Sequence, residues 1–352
     1  MTNAANYPFE CWYVAATSDE VSRGLLARRV LGQDVILFRR TGGDIVALED
    51  RCPHRSFPLS AGRIEGDTVV CGYHGFAFGH DGRCVRIPSQ GQIPERSSAR
   101  AFAVREDPPF VWIWLGDGES WRKRPLPELP WLHDSTRAVW GGTLEIQCNY
   151  TLLHEMILDL THIPFVYPDI SPQPLMQEVP PLEVDVSEHS VAYIRTFPAV
   201  ALTSWQARSA GLPADAVRVQ QEFGELITPA VWAGGWRILG EDERTVSHEL
   251  LLTYSFTPID MMQTRVVYRG SRTYAVEDGA VTAEMQRRLE EIFARRKSIL
   301  ELAQRRRIEA SDGREFSVIA DAAQLKARRI VETMLAEEAG MTLRARRRGA
   351  KP

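Results

Sequence analysis

The chain has 352 residues, enough for about two domains at roughly 150 residues each. With 44% hydrophobic and 25% charged residues, the composition is that of a folded globular protein and excludes fibrous, low-complexity and disordered classes. Lys+Arg of 42 against Asp+Glu of 46 leave a net charge of -4, which gives no global electrostatic reason to bind nucleic acid or an anionic membrane.

Residues 1–10 carry no basic stretch followed by an apolar one, and no run of about 18 uncharged apolar residues occurs anywhere, so the expected location is cytoplasmic with no membrane attachment. Arg29–Phe38 and Asp44–Leu48, separated by Thr41, Gly42 and Gly43, read as two strands of a hairpin. Short β-rich runs follow at Asp67–Cys71, Phe76–Phe78 and Phe110–Trp114, punctuated by glycine, and predict an antiparallel β domain. The prolines of Pro125–Pro130 forbid helix and most sheet pairing, which makes an extended connector. The expected domains are therefore 1–120 and 121–340, with 341–352 as a basic, solvated tail around Arg344 and Arg346–Arg348.

Apolar residues at 152, 153, 156, 157 and 160 predict a helix over Asn149–Leu160 that ends by Pro164. Residues 182–275 alternate and are rich in Val, Thr and aromatics, which predicts a second antiparallel sheet. Long charged helices are expected at Thr282–Glu309 and Ile319–Glu338, so the fold class is α+β with helices on one side of the second sheet. No internal repeat and no glycine-rich phosphate loop occurs, so a nucleotide site is not expected.

Five cysteines are too few and too odd in number for a disulfide framework. Cys52-Pro53-His54 and, sixteen residues on, Cys71-Gly72-Tyr73-His74 each offer one thiol and one imidazole. Four such ligands could hold a tetrahedral zinc, but zinc motifs pair like with like. The mixed halves suit a Rieske [2Fe-2S] cluster, in which one iron takes two cysteines and the other two histidines, so each loop must reach both irons. Cys11, Cys84 and Cys148 are expected to be small buried apolar residues.

Over nearly its whole length the sequence resembles the Rieske non-haem iron oxygenases, in particular oxygenase (alpha-type) components similar to vanillate and dicamba O-demethylases. The resemblance rests on Trp12-Tyr13-Val14, Cys52-Pro53-His54-Arg55, the stretch Cys71–Phe78 and the stretch Cys148–Leu153. It implies an N-terminal antiparallel β Rieske domain and a helix-grip-like C-terminal domain. It also implies a [2Fe-2S] cluster on Cys52, His54, Cys71 and His74, and a second, mononuclear Fe(II) that activates O2. Of the helix that would carry this iron, Asn149, Glu155, Asp159 and His162 are present. The resemblance makes His162 an iron ligand, Asp159 the bridge for electrons from a neighbouring subunit, and Asn149 part of the catalytic set. On a helical wheel Glu155, Asp159 and His162 fall within about 60° of one another and predict one polar stripe.

The sequence departs from that family where two more iron ligands are expected. Five residues after His162 stands Tyr167 rather than histidine, and the basic stretch Phe293–Ser298 places Arg296 where a carboxylate should be. A guanidinium cannot ligate iron(II) and its charge opposes a dication. His154 lies about 12 Å along the helix from His162, too far to share an ion, while Asp169 and the Tyr167 phenol are the remaining local substitutes. Glu290, Glu291 and Glu301 sit a turn or more from the required position. His80, His133, His189 and His248 have no ligand spacing. Trp205, Trp232, Trp236 and Phe256 are expected to be core more than pocket lining.

Two functions are consistent with this reading. One is an O2-dependent hydroxylase or O-demethylase of an aromatic small molecule, fed by a separate reductase or ferredoxin. The other is a non-catalytic Rieske subunit without mononuclear iron, serving an active, homologous oxygenase subunit as a redox or structural partner. Either implies a homotrimer or a hetero-oligomer.

Overall fold

In the computed structural model, residues 7–168, 180–310 and 315–349 are described, and they form two compact units. The first holds Phe9–Leu126 with Thr257–Met261; the second holds the described residues of 7–8, 127–256 and 262–349.

The first unit is antiparallel β. Its strands are β1 (Trp12–Thr17), β2 (Leu26–Val30), β3 (Gln33–Arg39), β4 (Ile45–Glu49), β5 (Arg63–Glu65), β6 (Thr68–Val70), β7 (Ala77–Phe78), β8 (Cys84–Arg86), β9 (Ala101–Asp107) and β10 (Phe110–Trp114). They build a six-stranded sheet, β1-β10-β9-β4-β3-β2, and a four-stranded one, β5-β6-β7-β8. The expected single strand Arg29–Phe38 is in fact a hairpin of its own, because Leu31 and Gly32 turn the chain with φ of 50° and 74°. Backbone at positive φ reverses a strand tightly whichever residue supplies it. Ile36, Phe38, Val46, Leu48, Val69 and Phe78 close one core with Cys52, Cys71 and Cys84, so two of the motif cysteines are core residues as well as candidate ligands.

The second unit is a seven-stranded antiparallel sheet with helices. Its strands are β11 (Ala138–Ile146), β12 (Glu183–Val186), β13 (Val191–Ala201), β14 (Val217–Thr228), β15 (Val231–Leu239), β16 (Val246–Pro258) and β17 (Thr264–Arg272). They lie in the order β11-β17-β16-β15-β14-β13-β12. The helices are α1 (Tyr150–Leu158), α2 (Ile163–Val166), α3 (Ser204–Ala210), α4 (Gly279–Glu309) and α5 (Ala322–Gly349). Phe293 of α4 packs on Tyr254 and Tyr268 of the sheet, with ring centroids 5.1 and 4.6 Å apart. The expected α+β class is thus observed, with α4 against one sheet face.

Two helical expectations are corrected. Pro164 does not stop the first helix, which ends at Leu158 where Asp159 takes extended angles. A short 3-10 turn, Leu160–His162, follows, and Pro164 sits in the first turn of α2, where its missing N–H costs nothing. The basic residues 344–348 belong to the backbone of α5 rather than to a frayed tail; residues 350–352 lie outside the described residues.

Candidate metal centre and its surroundings

The two motif loops share one backbone frame. Cys52 N–H donates to Phe57 O at 2.8 Å and Ser56 N–H to Cys52 O at 2.9 Å; Cys71 N–H donates to Phe76 O at 2.8 Å and Gly75 N–H to Cys71 O at 3.0 Å. In each loop the fourth residue after the cysteine adopts positive φ, 53° at Ser56 and 71° at Gly75. Gly72 allows close approach, since a Cβ there would lie 2.7 Å from Ala61 O.

Cys52 and Cys71 are 2% and 1% exposed and lie side by side, whereas His54 and His74 are exposed. The imidazole centroids are 4.6 Å apart with planes at 70°, and His54 stacks on Phe76 at 4.6 Å. Burial, reinforced by the neighbouring Cys71, pushes the Cys52 thiol up. Desolvation, then the charges of His74 and Arg55, hold His54 below the usual imidazole range. A thiol pair inside and an imidazole pair outside is the donor set of a two-iron cluster with two protein ligands on each iron, and the residues fit it. The side-by-side thiols and the adjacent imidazole pair are separate two-ligand sets, which is the division that a two-iron cluster asks for.

The region of the second expected iron is built differently from the expectation. Because α1 ends at Leu158, the three polar side chains do not form a stripe. Glu155 turns to Arg307 and Arg328, each at 2.9 Å. The Asp159 carboxylate accepts from Thr161 N–H and hydroxyl at 2.9 and 2.6 Å. Asn149 is the N-cap of α1, its side-chain oxygen accepting from Thr151 N–H, while its own N–H donates to Gln304 of α4 at 2.8 Å.

His162 Nδ1–H donates to Asp159 O at 2.8 Å, because a carbonyl can only accept, and this leaves the buried Nε2 as a bare acceptor without a partner among the described residues. Burial, and then the charge of Arg296, push its imidazole down to about 4. Arg296 is 9% exposed; its guanidinium hydrogen-bonds the Tyr167 and Tyr254 side chains, while among the described residues its Nε and Nη1 have no hydrogen-bond partner. Its guanidinium lies 6.0 Å from the Tyr167 ring, 5.5 Å from Tyr254 and 5.7 Å from Phe293. Burial works against its charge, and the phenols of Tyr254 and Tyr167 more than offset this, so it stays charged. Among the described residues the family's mononuclear iron does not fit this region, which offers one imidazole and a fixed cation in place of three ligands. Asp169 lies outside the described residues. His154 is no substitute, since its Nε2–H donates to Pro229 O at 2.8 Å deep in the core.

One pair escaped sequence reading. Arg195 Nη1 donates to Glu222 Oε2 at 3.0 Å, with both side chains under 5% exposed. Burial pushes Glu222 up to about 7 against the pull of Arg195. The signal was available: Val191, Tyr193, Arg195 and Phe197 share the buried face of β13, so a charge at the third position is out of pattern. Glycines shape the same face, where a Cβ on Gly224 would lie 2.5 Å from the Tyr193 hydroxyl. Ile194, Phe223 and Leu251, which alternate with that set, line an open cleft of about 920 Å³ together with Trp131. Among Trp205, Trp232, Trp236 and Phe256 none lines it; Trp232 and Phe256 are buried, and Trp236 stacks on Phe197.

A β unit with paired Cys-His loops, followed by a seven-stranded sheet gripped by long helices, defines a Rieske protein of the oxygenase class. Residues 11–97 match the Rieske [2Fe-2S] domain and residues 146–337, over half of the chain, match the vanillate O-demethylase oxygenase C-terminal domain; the chain belongs to this family. It is 44% identical over 160 residues to the toluene-4-sulfonate monooxygenase system iron-sulfur subunit TsaM1 of Comamonas testosteroni, covering 45% of this chain and 46% of that protein. It is 36% identical over 157 residues to the dicamba O-demethylase oxygenase component of Stenotrophomonas maltophilia, covering 44% and 46%. The chain thus spans about half the length of the curated relatives it matches. A crystal structure of dicamba monooxygenase bound to dicamba superposes with a TM-score of 0.85 at 25% identity, over 97% of this chain and 100% of that one. By their names these relatives are components of monooxygenase or demethylase systems. Among the described residues no helix is long and apolar enough to cross a membrane.

Proposed function

We propose that this chain is the oxygenase-type component of a Rieske monooxygenase system that hydroxylates or O-demethylates an aromatic small molecule. The paired loops carry this reading. Cys52 and Cys71 would hold one iron of a [2Fe-2S] cluster and His54 and His74 the other, within a working division of 1–120 for the Rieske domain and 121–340 for the oxygenase-type domain. When bound, the cluster supplies storage for one electron. The chain's residues set its conditions: the core around Cys52 and Cys71 excludes water from the thiolate side, and the exposed imidazoles give an electron donor a short approach. Each imidazole has a second ring nitrogen that can hold a proton, coupling reduction to protonation. The donor is a separate reductase or ferredoxin, since the sequence has no nucleotide loop. Asp159 would relay electrons from a neighbouring copy, in a homotrimer or in an oligomer with a homologous oxygenase chain, and Asn149 would keep α1 in place for it.

Anaerobically purified protein is expected to be brown, with two irons and two acid-labile sulfides per chain, and Cys52→Ala or His74→Ala to lose the colour. A colourless protein with one zinc would sink the reading.

A further inference from the structure

Resting on that reading, the rings around the two exposed imidazoles lead further. In each motif loop the fifth residue after the cysteine is phenylalanine, Phe57 after Cys52 and Phe76 after Cys71, and its carbonyl accepts the N–H of that same cysteine at 2.8 Å. The side chain then crosses to the opposite loop. Phe76 lies flat on His54, with centroids 4.6 Å apart and planes 5° from parallel. Phe57 meets Tyr73 at 5.6 Å, and Tyr73 covers His74 at 3.8 Å. His54 and His74 meet edge to face at 4.6 Å, so Phe76, His54, His74, Tyr73 and Phe57 make one row of five rings. The ends of this row are rooted, because Phe57 and Phe76 both pack against the core that holds the two cysteines. Its middle stands in solvent, where Tyr73 is 60% exposed.

An imidazole on a solvent-facing loop is free to turn about its side-chain bonds, and a metal ligand has to be held in one orientation. We propose that Phe76 is a positioning residue for the cluster, clamping His54 from the opposite loop, and that Tyr73, braced by Phe57, does the same for His74 less firmly. Each loop thereby fixes the iron ligand of the other. Offset stacking of this kind needs a flat ring at position 76, so tyrosine would serve there and an aliphatic side chain would not.

The test compares Phe76→Leu, Phe76→Tyr and Tyr73→Leu in the cluster-loaded full chain. The readouts are the electron paramagnetic resonance g-values of the reduced cluster, its reduction potential, and the rate at which EDTA bleaches the oxidised protein. Phe76→Leu should shift the g-values and the potential and bleach about fivefold faster, the scale of one aromatic pair. Phe76→Tyr should restore the wild-type values, and Tyr73→Leu should bleach faster than wild type but slower than Phe76→Leu. Wild-type g-values, potential and bleaching in Phe76→Leu would overturn the inference, as would a Phe76→Tyr protein that behaves like Phe76→Leu. If Phe76→Leu fails to fold, the exposed Tyr73 decides: Tyr73→Leu indistinguishable from wild type would overturn the cross-brace. Variants that leave a loaded cluster unchanged would sink this inference alone, whereas a wild-type chain without a cluster would sink the function proposed above.

Discussion

His154 stands 3% exposed between Tyr150 and Phe256, with its Nε2–H given to Pro229 O. Burial pushes its imidazole down to about 4, below the value of about 6.5 it has in an unfolded chain. Between those values the unfolded chain binds a proton that the folded one refuses. The stabilisation is therefore complete above pH 6.5 and is lost as pH falls toward 4, on the order of 3 kcal/mol in all. Denaturant titrations at pH 7 and pH 4.5 should show a smaller acid loss in His154→Gln than in wild type; an equal loss would show that other groups set the slope. At this scale the cluster loops were legible, because thiol and imidazole at spacings of one and two admit few chemistries. Arg296 was legible by its charge alone. Its unspent donors were not, since they depend on which neighbours α4 brings to it.

At the scale of elements, the two loops differ informatively at one position. Gly75 meets its positive φ without strain, whereas Ser56 holds the equivalent conformation with a Cβ. Gly75→Ala, which would also set a Cβ 3.1 Å from Pro88 Cγ, should destabilise the first unit by about 1–2 kcal/mol, while Ser56→Gly should be neutral or slightly stabilising. Thermal melts of the cluster-loaded variants measure both, and equal effects would deny the shared frame. The same physics explains what the sequence concealed. Leu31 at positive φ carries no turn signature, so β2 and β3 read as one strand. Pro164 reads as a stop but is equally at home in a first helical turn, and the wheel through Asp159 and His162 failed because α1 had already ended.

For the whole molecule, alternation in 182–275 was enough to announce an antiparallel sheet, yet the strand order, with β11 at one edge beside β17, depends on contacts far apart in sequence. The proposed relay through Asp159 needs a neighbouring copy, so full-length protein should sediment as a closed ring, with three chains as the expected number, alone or with a homologous chain. A stable monomer at micromolar concentration would remove that route for electrons.

The pairing of Cys52 with Cys71 inside a core has a consequence for the protein's lifetime in air. Once iron departs, O2 would be the oxidant that takes two electrons and two protons from these adjacent thiols to leave a disulfide, a step slowed by the burial that keeps Cys52 protonated. Iron loss would then become a ratchet: the emptied scaffold would lock itself shut, and re-supplying iron and sulfide would fail until a small reductant reached the bond.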